Sequence, residues 1–149
     1  MIRKYLLDLD VVIALTEPEH EHHRKAHDWF NTIGNDCWGI SPLTEVEFLR
    51  VAANPTAHPA PHALEHAKAI IQTWKGQPGY RLWPIEESWV TLTVPFASRI
   101  FGHQQITDAY LLGLAIKEDG VLVTFDKGIR YMAGAEFNRN VLILESSKS

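Results

Sequence analysis

A chain of 149 residues, 46% hydrophobic and 21% charged, has the make-up of one soluble globular domain spanning residues 1–149. A chain of this length buries about two-thirds of the surface it exposes when unfolded. The formal charge of −4 excludes a surface that coats nucleic acid generally but not a local basic groove, because clustered acids bias the count downward.

Cys37 is the only cysteine, so no intramolecular disulfide can form, and a reducing compartment follows. The opening Met1-Ile2-Arg3-Lys4 imitates a signal peptide only faintly, since Asp8 and Asp10 interrupt the apolar stretch. No run reaches transmembrane length. A cytoplasmic protein with no membrane partner is expected.

The first strand, Lys4-Tyr5-Leu6-Leu7, is closed by Asp8, and Val11-Val12-Ile13-Ala14-Leu15 reads as a short helix stopping near Glu17-Pro18. A helix over residues 20–33 places Ala26, Trp29, Phe30 and Ile33 on one face. Gly34-Asn35-Asp36 turns the chain into a short strand, 37–41, in which Cys37 is a small buried hydrophobe. A helix over 44–53 ends at Asn54-Pro55, and three prolines make 55–61 a loop. Helix resumes over 62–75 until Gly76-Gln77-Pro78-Gly79 breaks it. Residues 80–85 form a third strand, and 87–101 a helix weakened by Thr91, Thr93 and Pro95. Another helix opens at Asp108. A strand ending at Phe125, a short helix and Val141-Leu142-Ile143-Leu144 complete the order. Alternating strands and helices predict an α/β fold of three α/β/α layers, with a central, mainly parallel sheet of four to five strands.

Three aspartates stand out against this order. Asp8 and Asp126 each follow an apolar strand, and Asp108 follows Gln105-Ile106-Thr107 and opens a helix. Carboxylates are rarely buried without partners. In an open α/β sheet, ligands bind in the crevice beyond the strand ends. Acids converging there repel one another unless a cation neutralises them, and oxygen ligation suits Mg²⁺ or Mn²⁺. The pattern points to a metal-dependent enzyme acting on phosphate esters. Singly, each aspartate reads more readily as a helix-cap or turn acid.

The residues also resemble a family. Tyr5-Leu6-Leu7-Asp8-Leu9-Asp10-Val11-Val12-Ile13 looks like the opening of PIN-domain ribonucleases. Ile106-Thr107-Asp108-Ala109-Tyr110-Leu111 is similar to their third-acid motif, and Thr124-Phe125-Asp126-Lys127-Gly128-Ile129 to their closing one. The segment from Ser41 to Arg50 stands in the place of the second acid. Within the family, His22-His23-Arg24-Lys25-Ala26-His27-Asp28-Trp29-Phe30 and Gly102-His103-Gln104-Gln105 resemble VapC-type toxins of toxin–antitoxin systems. The resemblance implies a PIN-like fold and an RNA endonuclease using Mg²⁺ or Mn²⁺ held by Asp8, Glu47, Asp108 and Asp126. It further implies a VapB-type antitoxin partner and a homodimer.

Two positions depart from the pattern. Asp10 stands where the family most often has Asn, and it supports the site from behind, caps the helix, or ligates directly. Glu47 is favoured as the second acid over Glu45; two residues apart on a helix face about 200° apart, so only one can face the site. Thr107 is expected to cap the helix beside Asp108, or to orient its carboxylate. Arg99, His103, Lys127 and Arg130 are candidates for holding RNA, with Arg50 less favoured. His23 and His27 share a helix face at zinc-ligand spacing, as do His62 and His66, but neither pair has the accompanying Glu or cysteines of a zinc motif. The tryptophans read as core or interface. Alternative functions are a catalytically silent PIN-like protein-binding module, a nuclease acting on DNA, and a phosphatase of small esters.

Overall fold

The computed structural model describes residues 2–145. Side-chain alternation along its strands decides the layering. In β1 (Lys4–Leu7), Tyr5 and Leu7 enter one apolar cluster and Leu6 enters another. In β3 (Val121–Thr124), Val123 joins the side of Tyr5 and Leu122 the side of Leu6. A sheet apolar on both faces needs cover on both. On the Tyr5 face lie α1 (Leu9–Thr16), α2 (His23–Phe30), α3 (Pro42–Ala53) and α4 (Ala63–Lys75). On the Leu6 face lie α5 (Trp89–Leu92), α6 (Ile106–Lys117) and α7 (Gly128–Ala133). The expected α/β/α layering is what forms.

The sheet also contains β2 (Cys37–Gly39) and β4 (Val141–Ile143), in the order β2-β1-β3-β4 with every pairing parallel. Tyr5 pairs with Trp38, Leu6 with Leu122, and Val123 with Leu142. The chain leaves β1 for β2 on one side and later returns to lay β3 on the other. The crevice between the C-terminal ends of β1 and β3 is therefore the topological switch point, where such sheets bind ligands. Asp8 and Asp126 both emerge there.

Several expected boundaries shift, each for a local reason. The helix expected from residue 20 begins at His23, because the N–H groups of His20 and His23 close two successive turns onto Glu17 and His20. The helix expected to open at Asp108 begins at Ile106, since a 3-10 turn over His103–Gln105 feeds straight into it. Asp108 and Thr107 thus lie in its first turn, and Thr107 does not cap it. The helix expected over 87–101 is the four-residue α5 followed by a 3-10 segment, Val94–Arg99, with Phe96 outside helical geometry. Pro95 lacks the N–H that a continuous helix needs.

The third strand expected over 80–85 is reduced to one parallel bridge between Tyr80 and Trp38. Arg81 and Trp83 still donate to the carbonyls of Trp38 and Ile40, at 2.8 and 3.1 Å, so the segment is an irregular fifth edge. Gly39 permits this approach: a Cβ there would stand 1.8 Å from the Arg81 carbonyl oxygen.

Aromatic rings fill the Tyr5 face, with Trp38 met edge-on by Phe30, Trp74 and Tyr80 at centroid distances of 4.9, 5.3 and 5.2 Å. Trp38 and Trp83 are buried, as expected of core residues. Cys37, expected to be buried, is only half-buried at the strand's first position. No helix among the described residues is long and apolar enough to cross a membrane.

Candidate active site

One hydroxyl organises the acids. Thr124 is the last residue of β3 and fully buried. Its Oγ1 donates to Asp8 Oδ2 at 2.7 Å and accepts from the Asp126 N–H at 3.0 Å. Asp10 Oδ2 lies 3.4 Å from the same oxygen. A single side chain therefore links the Asp8 carboxylate, the first turn of α1 and the backbone of Asp126.

Asp8 is also the N-cap of α1, its Oδ1 accepting from the Leu9 N–H at 2.8 Å. Cap and site acid are one residue here. Burial pushes its pKa up, partly offset by the Thr124 and Leu9 hydrogen bonds, and the Asp126 charge pushes it further. Asp10 lies in the first turn of α1 and so does not cap it. Its Oδ2 accepts from the Phe125 N–H at 3.2 Å, tying α1 to the end of β3. Its Oδ1 is buried with no partner. Burial first, and then the Asp8 charge, raise its pKa to about 7.

Asp108 reaches the cluster from the first turn of α6. Burial, the charges of Asp8 and Asp126, and the close approach of the Asp126 carboxylate raise its pKa to about 8. Asp126 is exposed, and its Oδ1 accepts from the Gly128 N–H at 2.8 Å at the start of α7.

α3 brings the fourth acid. Its N-terminus is set by Ser41, whose Oγ accepts from the Thr44 N–H at 3.2 Å, and by Pro42 in the first turn. Glu47 is half-buried, and its pKa is raised by burial and then by the Asp8 charge, with Arg50 opposing. Glu45 points elsewhere. Its Oε1 lies 3.6 Å from Lys75 Nζ, and its charge acts on the Tyr80 phenol. Glu47 is thus the member of the pair that shares the field of Asp8.

The basic candidates separate. Arg99 closes the far end of α7, its Nε and Nη2 donating to the carbonyls of Met132 and Ala133 at 2.7 and 3.0 Å. Arg130 donates to Asn138 Oδ1 on the surface. Lys127 is exposed beside Asp126, His103 is exposed at the 3-10 turn leading into α6, and Arg50 is exposed one turn from Glu47. Lys127 and Arg50 are the cations nearest the acids in chain and helix position.

The expected histidine pair has a structural use. His23 Nδ1 donates to the Ala14 carbonyl at 2.7 Å and His27 Nε2 to the Leu15 carbonyl at 2.9 Å. Both satisfy the otherwise unpaired C-terminal carbonyls of α1.

The donor set suits a hard divalent cation. Carboxylates whose pKa values are raised first by burial and then by one another's charge, and a buried Asp10 oxygen without a partner, form a receptor for positive charge. Among the described residues, no three His, Cys, Asp or Glu side chains close around a point as a direct-ligand cage.

The PIN domain family matches residues 5–135. Ribonuclease VapC38 of Mycobacterium tuberculosis is 35% identical over 128 residues, covering 86% of this chain and 89% of that protein. Ribonuclease VapC44 of the same species is 33% identical, with 86% and 89% covered. Among solved structures, a toxin-antitoxin complex from Klebsiella pneumoniae superposes with a TM-score of 0.66 at 17% identity, covering 95% of this chain and 98% of that one. VapBC2 from Rickettsia felis, bound to a DNA fragment from its promoter, gives 0.59 at 15% identity, with 94% and 96% covered. These two likenesses concern the fold. The protein is a PIN domain, and within that fold the chain belongs to the VapC ribonuclease family.

Thr124 is the site residue that sequence reasoning passed over. Its signal was present, a strand-final Thr two residues before an acid, where a hydroxyl readily accepts from the N–H two residues on.

Proposed function

We propose that the protein is a VapC-type toxin, a divalent-metal-dependent endoribonuclease that Asp8, Glu47, Asp108 and Asp126 equip to bind Mg²⁺ or Mn²⁺. The observation that carries the reading is the convergence of these acids at the sheet's switch point, with Thr124 joining the ends of β1 and β3. The curated relatives named Ribonuclease VapC support RNA as substrate. The toxin-antitoxin complexes with the same fold support a VapB-type antitoxin as partner.

When bound, the ion supplies Lewis acidity to a phosphodiester and to the attacking water. The residues do the positioning. Thr124 holds Asp8 and the backbone of Asp126 in one frame, and Asp10 fixes the start of α1 to Phe125. Glu47 and Asp108 close the crevice from α3 and α6. Lys127 and Arg50 offer charge to the flanking phosphates.

A second copy of the chain is a further expected partner. The exposed side chains of Val90, Val94, Phe101 and Tyr131 support it, with the Phe101 and Tyr131 rings 6.0 Å apart. Light scattering on the purified protein tests this.

The deciding experiment is cleavage of total RNA by antitoxin-free protein with Mg²⁺ or Mn²⁺, beside EDTA and Asp8→Asn controls. Discrete fragments that need metal and vanish in the variant are expected. No cleavage by folded, metal-loaded protein would favour a silent binding module, and cleavage of DNA alone would move the substrate class.

A further inference from the structure

Beside the acids, the loop between α1 and α2 carries rings that the catalytic reading leaves unused. His22 stacks on Phe125 with centroids 4.7 Å apart and planes at 21°, and His20 leans on His22 at 5.6 Å and 51°. The three rings make a column. Its inner end, Phe125, sits between Thr124 and Asp126 in the chain, and its own N–H is held by Asp10. Its outer rings stay accessible: 23% of the His22 side chain is exposed, and His20 is only half-buried.

The loop is built to hold this arrangement. His22 N–H donates to His20 Nδ1 at 3.0 Å, and the backbone turns from Glu17 to His20 and from His20 to His23 lock the approach. Glu21 Oε1 lies 3.4 Å from His22 Nε2 on the solvent side. Neither His20 nor His22 closes a helix end: His22 precedes α2 without a side-chain capping bond. By contrast, His23 and His27 are committed to the carbonyls of α1.

We propose that the His20–His22–Phe125 column is a nucleotide subsite of the ribonuclease, stacking the base of the nucleotide that flanks the scissile phosphate. Every base has a π-face, so an aromatic surface beside a phosphate site binds single-stranded RNA whatever its sequence. Phe125 directly precedes Asp126, and its N–H is bound by Asp10 Oδ2 at 3.2 Å, so the base of the column is fixed to the backbone that carries the acids. His20, whose Nδ1 accepts from the His22 N–H, keeps an Nε2–H that can donate to the adjoining phosphate. The proposal rests on the ribonuclease reading above and adds the part of the substrate grip that cations do not supply.

His22→Ala is the discriminating variant, because the α2 backbone does not depend on that side chain. Two measurements are made: the Kd for a fluorescein-labelled, mixed-sequence single-stranded RNA in the cleavage-deficient Asp8→Asn background, and kcat and KM for metal-dependent cleavage with Asp8 intact. Affinity should weaken roughly 5- to 100-fold, and KM should rise with kcat nearly kept, as expected for one lost base stack. His22→Trp should restore both. An unchanged Kd in His22→Ala, or a Trp variant no better than Ala, would overturn the subsite while metal-dependent cleavage by the parent leaves the nuclease standing. Absence of both RNA binding and cleavage in the parent overturns the ribonuclease reading, and the subsite with it.

Discussion

At the scale of residues, Thr124 is the side chain that ties the end of β1 to the backbone of Asp126. Its hydroxyl is donor to one carboxylate and acceptor for the backbone beneath another, so removing it leaves the Asp126 N–H without a partner inside the fold. Thr124→Val keeps the shape and deletes the hydroxyl. Catalytic efficiency should fall roughly 10- to 100-fold, the usual effect of removing a group that orients metal ligands, while Thr124→Ser should stay within about threefold of the parent. Steady-state cleavage of a mapped RNA substrate gives the comparison, with circular dichroism to verify folding. Equal rates for Val and Thr would show that the acids hold their places without the hydroxyl. Asp10 is a related case. Where the family most often has an amide, this chain has an acid, and its Oδ2 still accepts the Phe125 N–H as an amide oxygen would. The buried Oδ1 is what differs: an amide would place an N–H there, and the carboxylate places a charge that favours a cation.

At the scale of elements, the strands that end in acids were legible because each is a short apolar run closed by a residue that cannot stay inside unpaired. β1 with Asp8 and β3 with Asp126 needed no long-range knowledge. The edge segment 80–85 was not legible as irregular, because its pairing depends on Gly39 admitting the Arg81 carbonyl, a contact between residues far apart in the chain. The role of Arg99 was hidden in the same way: a basic residue near an acid motif looks like a phosphate ligand until α7 is seen to end against it. The histidines show the point most plainly. Spacing of four residues puts His23 and His27 on one face of α2, but what that face meets is the C-terminus of α1. His27→Ala should therefore cost roughly 1 kcal/mol by leaving the Leu15 carbonyl unpaired, and lower the melting temperature by about 2–4 °C in a domain of this size. Added Zn²⁺ should leave the parent's melting temperature unchanged. A clear rise with Zn²⁺ that His27→Ala abolishes would instead make the pair a metal site.

At the scale of the whole molecule, the acid cluster makes metal-free folding and cation binding oppose one another across pH. Asp108 and Asp10 ordinarily titrate at 3.8 and in the fold are raised to about 8 and about 7, each chiefly by burial. The native state therefore holds protons that the unfolded chain has already released. Their contribution to stability is full below about pH 4 and is lost as pH rises to about 8, so the metal-free melting temperature should fall through that window. Divalent cations bound at the proposed site would reverse the sign. They would bind the ionised carboxylates, be weakened by proton competition at low pH, and stabilise the native state in proportion to the logarithm of their concentration over Kd. Thermal melts with and without millimolar Mg²⁺ should converge near pH 5 and separate near pH 8, with the gap largest where the metal-free protein is weakest. Asp108→Asn removes one of the strongly shifted protons. It should flatten the metal-free slope and shrink the Mg²⁺ gain at pH 8 together, because both arise from the same carboxylate. A metal-free melting temperature that rises from pH 5 to pH 8 would mean that the acids are solvated apart rather than gathered at the switch point. The nuclease site would then have to be assembled by the ion itself.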